Sequence, residues 1–237
     1  MCGRYASTRT SFDLATLFDA FDETEDGLVA DYNIAPTDPV PIVRMSRDVT
    51  SRVLAVARWG LVPHWARDPR AGARMINARA ESVATSTAFA PSFARRRCLI
   101  PADGWYEWLR LPTGGKQAYY LTPEDGGVLA FAGLWASAGD LITCSIVTVT
   151  AVRELAAVHH RMPLFLPPRR WEQWLTGDPD PDTLLATPDD TFVASMEIRP
   201  VGPAIGDVRN DGAHLVMRVD ASLPVGNDAE SPQQMLF

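Results

Sequence analysis

The chain has 237 residues, 46% of them hydrophobic and 22% charged, which suits one globular core and excludes disorder throughout. Its formal net charge of −7 excludes a uniformly basic surface, and no apolar run approaches the ~18 residues of a membrane span. Neither a collagen-like composition nor a sustained heptad is present.

In chain order, residues 11–21 predict a helix, with Ser11 as cap and Leu14, Leu17, Phe18 and Phe21 on one apolar face. Residues 22–39, acidic and proline-bearing, read as loop. Val40–Val43, Val53–Ala57, Val128–Trp135 and Leu141–Thr150 read as strands: short, rich in β-branched residues, and separated by Pro, Gly and Asp. Glu154–Val158 is a short helical candidate. Arg169–Leu175 follows a Pro-Pro pair and places Trp171, Trp174 and Leu175 on one face of a helix. Residues 176–190, with five aspartates and three prolines, read as a surface loop, and strands at Thr191–Val201 and His214–Val219 complete the sheet system. Clustered strands with few helices predict a single α+β domain over 1–220, with a mostly antiparallel, barrel-like sheet, followed by a mobile tail at 221–237.

Cys2, Cys98 and Cys144 cannot pair fully within the chain, and their spacing matches no zinc or redox motif. With four histidines besides, no metal site is expected; Cys98 and Cys144 lie in strand-like runs and read as inert core thiols. Scattered thiols and the absence of an export segment before Cys2 point to the cytoplasm. Charge is uneven: residues 58–97 hold eight arginines against Asp68 and Glu81. That surplus suits phosphate, but a solvated, ion-paired face explains it as simply.

Cys2 carries the most chemistry. Removal of Met1, which a small second residue favours, would leave an α-amine and a thiol on adjacent carbons, both partly nucleophilic near neutrality. An aldehyde meeting this pair gives a Schiff base, which the thiol closes to a thiazolidine. Glu107 lies within Gly-Trp-Tyr-Glu-Trp, where aromatic neighbours would desolvate its carboxyl and raise its pKa toward a proton-shuttling range.

Five segments, taken together, resemble one family. They are Cys2-Gly3-Arg4-Tyr5; Tyr32-Asn33-Ile34-Ala35-Pro36-Thr37; Trp59-Gly60-Leu61-Val62-Pro63-His64-Trp65 with Ile76-Asn77-Ala78-Arg79-Ala80-Glu81; Arg97 through Trp108; and His159-His160-Arg161-Met162-Pro163. Their order and spacing resemble the SRAP family, abasic-site processing proteins that crosslink to single-stranded DNA. The resemblance implies the SRAP fold and a thiazolidine crosslink from Cys2 to the opened sugar of an abasic site, protecting the lesion. It implies proton transfer by Glu107 and His159, positioning by Asn77, and DNA contacts from Arg4, Asn33, Trp65, Arg79 and Arg161, without a cofactor. A turn-capping role suits Asn33 nearly as well. Trp105 and Trp108 read as core aromatics, His160 as a solvated or core histidine, and Glu81 as the partner of a neighbouring arginine. The family's association with peptidase activity keeps a cysteine hydrolase as the alternative, with possible weak lyase activity besides. The expected partner is single-stranded DNA holding abasic sites, met by a monomer in a nucleoid-associated, membrane-free setting. Gln233, Leu236 and Phe237 in the tail resemble a sliding-clamp-binding peptide; a polar tail with an apolar end is the equal alternative.

Overall fold

The computed structural model describes residues 2–25, 27–112, 114–178 and 180–220. The first elements are β1 (Tyr5–Ser7), α1 (Ser11–Phe18), β2 (Ala20–Asp22), β3 (Asp31–Ile34), β4 (Pro39–Met45) and β5 (Arg52–Trp59). The middle of the chain forms β6 (Asn77–Arg79), α2 (Ala80–Val83), α3 (Ala90–Arg95), β7 (Arg97–Ala102), β8 (Gly104–Arg110), β9 (Lys116–Pro123), β10 (Leu129–Ala138) and β11 (Leu141–Thr150). The last part holds β12 (Arg161–Pro163), α4 (Trp171–Thr176), α5 (Pro181–Leu184), α6 (Asp190–Ala194) and β13 (Met196–Val201).

Antiparallel pairing joins β5–β4–β7–β10–β11, and a parallel contact of Arg58 with Thr143 and of Trp59 with Cys144 joins β11 back to β5. These five strands thus close a small barrel, which leaves few free edges. Closure explains why β7 and β10 read as continuous apolar runs: their interior side fills the barrel and their outer side is covered. Gly133 on β10 marks one tight point, where a Cβ would meet Cys98 Sγ and Ile100 at 2.8 Å. A second, fully antiparallel sheet runs β13–β9–β8–β1–β3. It packs on the barrel through aromatics: Trp105 of β8 meets Phe131 at 6.0 Å and Phe165 at 5.9 Å, and Tyr5 of β1 meets Trp59 at 5.1 Å. The expectation of a mostly antiparallel, barrel-like α+β domain with short helices therefore holds.

Several local expectations do not. The first helix stops at Phe18, because Asp19 turns into the left-handed region (φ 48°) and the chain enters β2. Its cap is Thr10, not Ser11, and only Leu14 and Phe18 of the expected face are buried; Leu17 and Phe21 are exposed. The segment 22–39 is not all loop, since β3 lies within it. Residues 190–194 form α6, capped by Asp189, so the strand expected at Thr191 starts at Met196. Likewise 213–216 is a single 3₁₀ turn, with one bridge from Arg218 to Val201. Residues 176–190 include α5, capped by the Asp180 side chain. Acid clusters that read as loop punctuation thus also serve as helix caps. The tail residues Gln233, Leu236 and Phe237 lie outside the described residues.

Candidate active site

The C-terminal half of β11 organises the site. β6 pairs parallel with Ile146–Thr148, and β12 pairs antiparallel with Thr148–Thr150. Asn77 and Arg79 on β6 and His159 and Arg161 at β12 are thereby drawn to one strand, from positions about 80 residues apart in sequence. A close backbone approach supports this. Gly60 holds φ +130°, and a Cβ there would stand 2.6 Å from Gly72 O; the loop after β5 folds flat and delivers Met75 to Leu61 and Asn77 to β11. The other sheet contributes Cys2, immediately before β1, and Glu107 on β8.

Asn77 connects the two halves. Its Nδ2 donates to the Cys2 carbonyl at 2.7 Å, while its buried Oδ1 has no hydrogen-bond partner among the described residues. Glu107 Oε1 lies 3.9 Å from His159 Nδ1, too far for a strong ion pair. His159 Nδ1 instead lies 3.0 Å from the backbone nitrogen and 3.1 Å from the backbone oxygen of Arg161, so it accepts from the one in one tautomer and donates to the other in the second.

Burial sets the electrostatics. Strand alternation turns Trp105 and Glu107 to one face, and Tyr119 stands directly opposite Glu107 on β9. Loss of water pushes the Glu107 carboxyl up to about 7, against the pull of the chain's amino-terminal charge. Tyr106 and Trp108 face the other way and pack with Ala6, Tyr120 and Leu215. Trp105 is fully buried, as the sequence suggests, whereas Trp108 is only partly so. Burial, followed by the Glu107 charge, raises the Cys2 thiol well above its usual range. Burial lowers His159, and stacking on the exposed His160 ring at 4.3 Å opposes a second positive charge. The arrangement is a desolvated carboxyl poised near neutrality, an imidazole that burial biases toward its neutral form, and a cysteine held by its backbone.

The arginines are not equivalent. Arg79 is exposed and lines an open cleft with Glu81, Ser82, Thr150, His160 and Arg161. Arg161 is buried, and both arms of its fork meet Glu81, at 2.5 and 3.0 Å, with a further bond to Thr148 O at 2.5 Å. Glu81 and Thr148 therefore fix the guanidinium plane at the cleft wall; strand alternation alone gives no sign of Thr148, and Glu81 pairs with an arginine distant in sequence. Arg4 donates to Asn33 Oδ1 at 2.5 Å and to Ile205 O at 2.9 Å. Asn33 is buried, and its Nδ2 donates to Asp207 O and Asn210 O, so its amide is spent on protein partners that steady Arg4. Trp65 is 51% exposed in the loop after β5, apart from this hydrogen-bonded cluster. The basic stretch 58–97 is not one patch. Arg97 is buried against the carbonyls of Phe93, Trp174 and Gly177, Arg58 bonds Pro69 O, and Arg70 pairs with Asp68. Cys98 and Cys144 are fully buried, with burial pushing both thiols up. Among the described residues no group of three or more His, Cys, Asp or Glu could hold a metal, and no helix is long and apolar enough to cross a membrane.

Residues 1–208 match the family model of the SOS response associated peptidase, SRAP. The chain belongs to the SRAP family. Among similar SRAP relatives, the abasic site processing protein YoqW of Bacillus subtilis is 31% identical over 91% of this chain and 99% of its own length. The abasic site processing protein YedK of Escherichia coli is 30% identical over 92% of this chain and 100% of its own length. A solved structure of a protein from Bacteroides thetaiotaomicron shares the fold, with a TM-score of 0.77 at 21% identity, covering 92% of this chain and all of the other.

Proposed function

We propose that this SRAP chain processes abasic sites in single-stranded DNA by covalent capture through Cys2. The observation that carries the reading is the junction of Cys2, held by Asn77 at 2.7 Å, with a buried Glu107 whose carboxyl titrates at about 7. Removal of Met1 gives Cys2 a free α-amine in the field that Glu107 already feels from the amino terminus. The amine adds to the C1′ aldehyde of the opened sugar, and loss of water gives a Schiff base. The thiol adds across the C=N bond and its proton passes to nitrogen, so the thiazolidine forms with net loss of one water. Glu107 accepts and returns protons, since near pH 7 both of its forms are populated. His159, in its imidazolium form, protonates the sugar ring oxygen as the anomeric hydroxyl gives up its proton, which opens the ring. The unpartnered Oδ1 of Asn77 accepts from the new ammonium or a sugar hydroxyl. Arg79 and Arg161 line the cleft for flanking phosphates, Arg4 and Asn33 support its floor, and Trp65 offers a face for a base. No cofactor enters any step.

The relatives' names as abasic site processing proteins support this reading. A cysteine hydrolase fits less well. It needs a thiolate beside an imidazolium, and here the thiol is pushed up and the imidazole down. The test is incubation with single-stranded DNA bearing one abasic site, a denaturing gel, and mass analysis of the N-terminal peptide. The expected product is the chain without Met1 plus the oligonucleotide less one water. Cys2→Ser should shift the balance from stable adduct toward weak strand cleavage; an undiminished denaturation-resistant yield in that variant would contradict the mechanism. We propose that Gln233, Leu236 and Phe237, at the end of the 221–237 tail, form a sliding-clamp-binding peptide; clamp pull-down unchanged by deleting 233–237 would remove this proposal.

A further inference from the structure

A second concentration of positive charge lies at the opposite end of β11 and uses none of the residues above except the neighbourhood of Trp65. The hairpin of β10 and β11 turns through Gly139 (φ +63°) and Asp140. Beneath it Trp135, on β10, is half-buried. The guanidinium carbons of Arg44, on β4, and Arg96, just before β7, each stand 5.4 Å from the Trp135 ring centroid. Trp135 N–H donates to Arg96 O at 2.8 Å, which fixes the two residues side by side. Exposed Arg47 completes a pocket of about 440 Å³ around them, whose lining holds one carboxylate, Asp140. Arg96 also lines an adjoining pocket of about 230 Å³ with Arg95 and His64, the residue before Trp65. The two pockets meet at Arg96, the residue that lines both, and are treated together as one groove.

Its charge is unbalanced. Arg44 pairs with the half-exposed Glu23 at 3.1 Å. Among the described residues Arg47, Arg95 and Arg96 have no ion-pair partner, yet Arg96 and Arg44 converge on one indole, where like charges repel. A bridging anion with several acceptor oxygens would relieve that repulsion, and arginine forks beside an aromatic ring suit phosphates flanked by bases. From Ile142 at the groove to Thr148 beside Arg161 is six residues of extended strand, roughly 20 Å or several nucleotides.

We propose that this groove is a second nucleic-acid contact, holding phosphates of the single strand that runs on from the lesion cleft past Trp65. The direction of that strand rests on the function proposed above; the affinity of the groove for nucleic acid does not. A free nucleotide presents the same phosphate chemistry, but the groove's continuity with the Trp65 loop favours a strand.

The test uses the full chain, with Arg47→Glu and Arg47→Glu/Arg96→Glu variants. Arg47 is exposed and outside any ion pair, so its single variant guards against misfolding. Binding to undamaged single strands of about 20 and about 5 nucleotides is followed by anisotropy across a salt series. Both variants should weaken the longer probe, the double about tenfold or more, and flatten its log-affinity salt slope by about 0.7 per lost phosphate contact. The short probe and its abasic crosslink yield should be unchanged. Wild-type affinity and slope on the longer probe in both variants would overturn the proposal, as would equal losses on both probes. So would a mononucleotide that binds wild type and is lost in the variants while the long probe is unaffected. If wild type forms no covalent adduct but the long-probe loss is seen, the groove stands and the Cys2 mechanism falls.

Discussion

Replacing Glu107 with glutamine removes a carboxyl whose folded-state titration lies at about 7, against an ordinary 4.5. Its side chain is only 4% exposed, so solvent screening does little to soften the effect. The folded carboxyl keeps its proton to a higher pH than the unfolded one, so folding takes up a proton between these values. The stability this confers is complete below about pH 4.5 and is lost as pH rises through about 7. At 1.36 kcal/mol per pH unit the gap corresponds to roughly 3 kcal/mol, of which about 2.5 kcal/mol falls between pH 5 and pH 8. Glutamine preserves shape and cannot ionise. Urea unfolding of both proteins at pH 5, 6, 7 and 8 should therefore show wild type losing about 2 kcal/mol or more relative to Glu107→Gln across that range, at similar m-values. Comparing the two cancels every other titrating group. Parallel stability profiles would refute the desolvation argument, and with it the reason for assigning proton transfer to this carboxyl. The same variant should slow adduct formation by roughly a hundredfold or more in a single-turnover gel assay.

Asn77→Ala removes the bond to the Cys2 carbonyl and should cost about 1 kcal/mol in urea unfolding, with slower crosslinking at unchanged affinity for undamaged DNA. Gly133→Ala places a methyl 2.8 Å from Cys98 Sγ and should lower stability by about 1–3 kcal/mol, read as a drop in Tm without loss of adduct yield per folded molecule. Arg161→Ala leaves a cavity and strips Glu81 of its partner; a loss of about 2 kcal/mol or more is expected, against under about 1 kcal/mol for Glu81→Gln, whose side chain is 56% exposed.

Sequence alone carried the long strands that are uncharged. Leu141–Thr150 was legible to the residue, because it is rich in β-branched side chains with no Pro, Gly or charged residue, as a strand buried on both faces demands. The paired helix signal at Trp171, Trp174 and Leu175 was equally plain, since one face packs and the spacing records it. β1 and β6, three residues each, were not: their extended form depends on neighbours far along the chain rather than on any periodicity of their own. The motif residues around Cys2, Asn77, Glu107 and His159 were likewise named by order and spacing. What distinguished them was decided by folding. Asn33 and Arg161, named by the same motifs, also took partners that the sequence does not show, the Arg4 guanidinium and the Glu81 carboxylate, because hydrogen-bond partners are chosen by distance in space. The composition of 58–97 counted eight arginines, but only closure of the barrel separated buried Arg97 from exposed Arg96 and set Arg44 beside it. A side chain's chemistry is written in the sequence. Its pKa, its partners and its access to water come from the dielectric and the neighbours that the tertiary fold assembles around it.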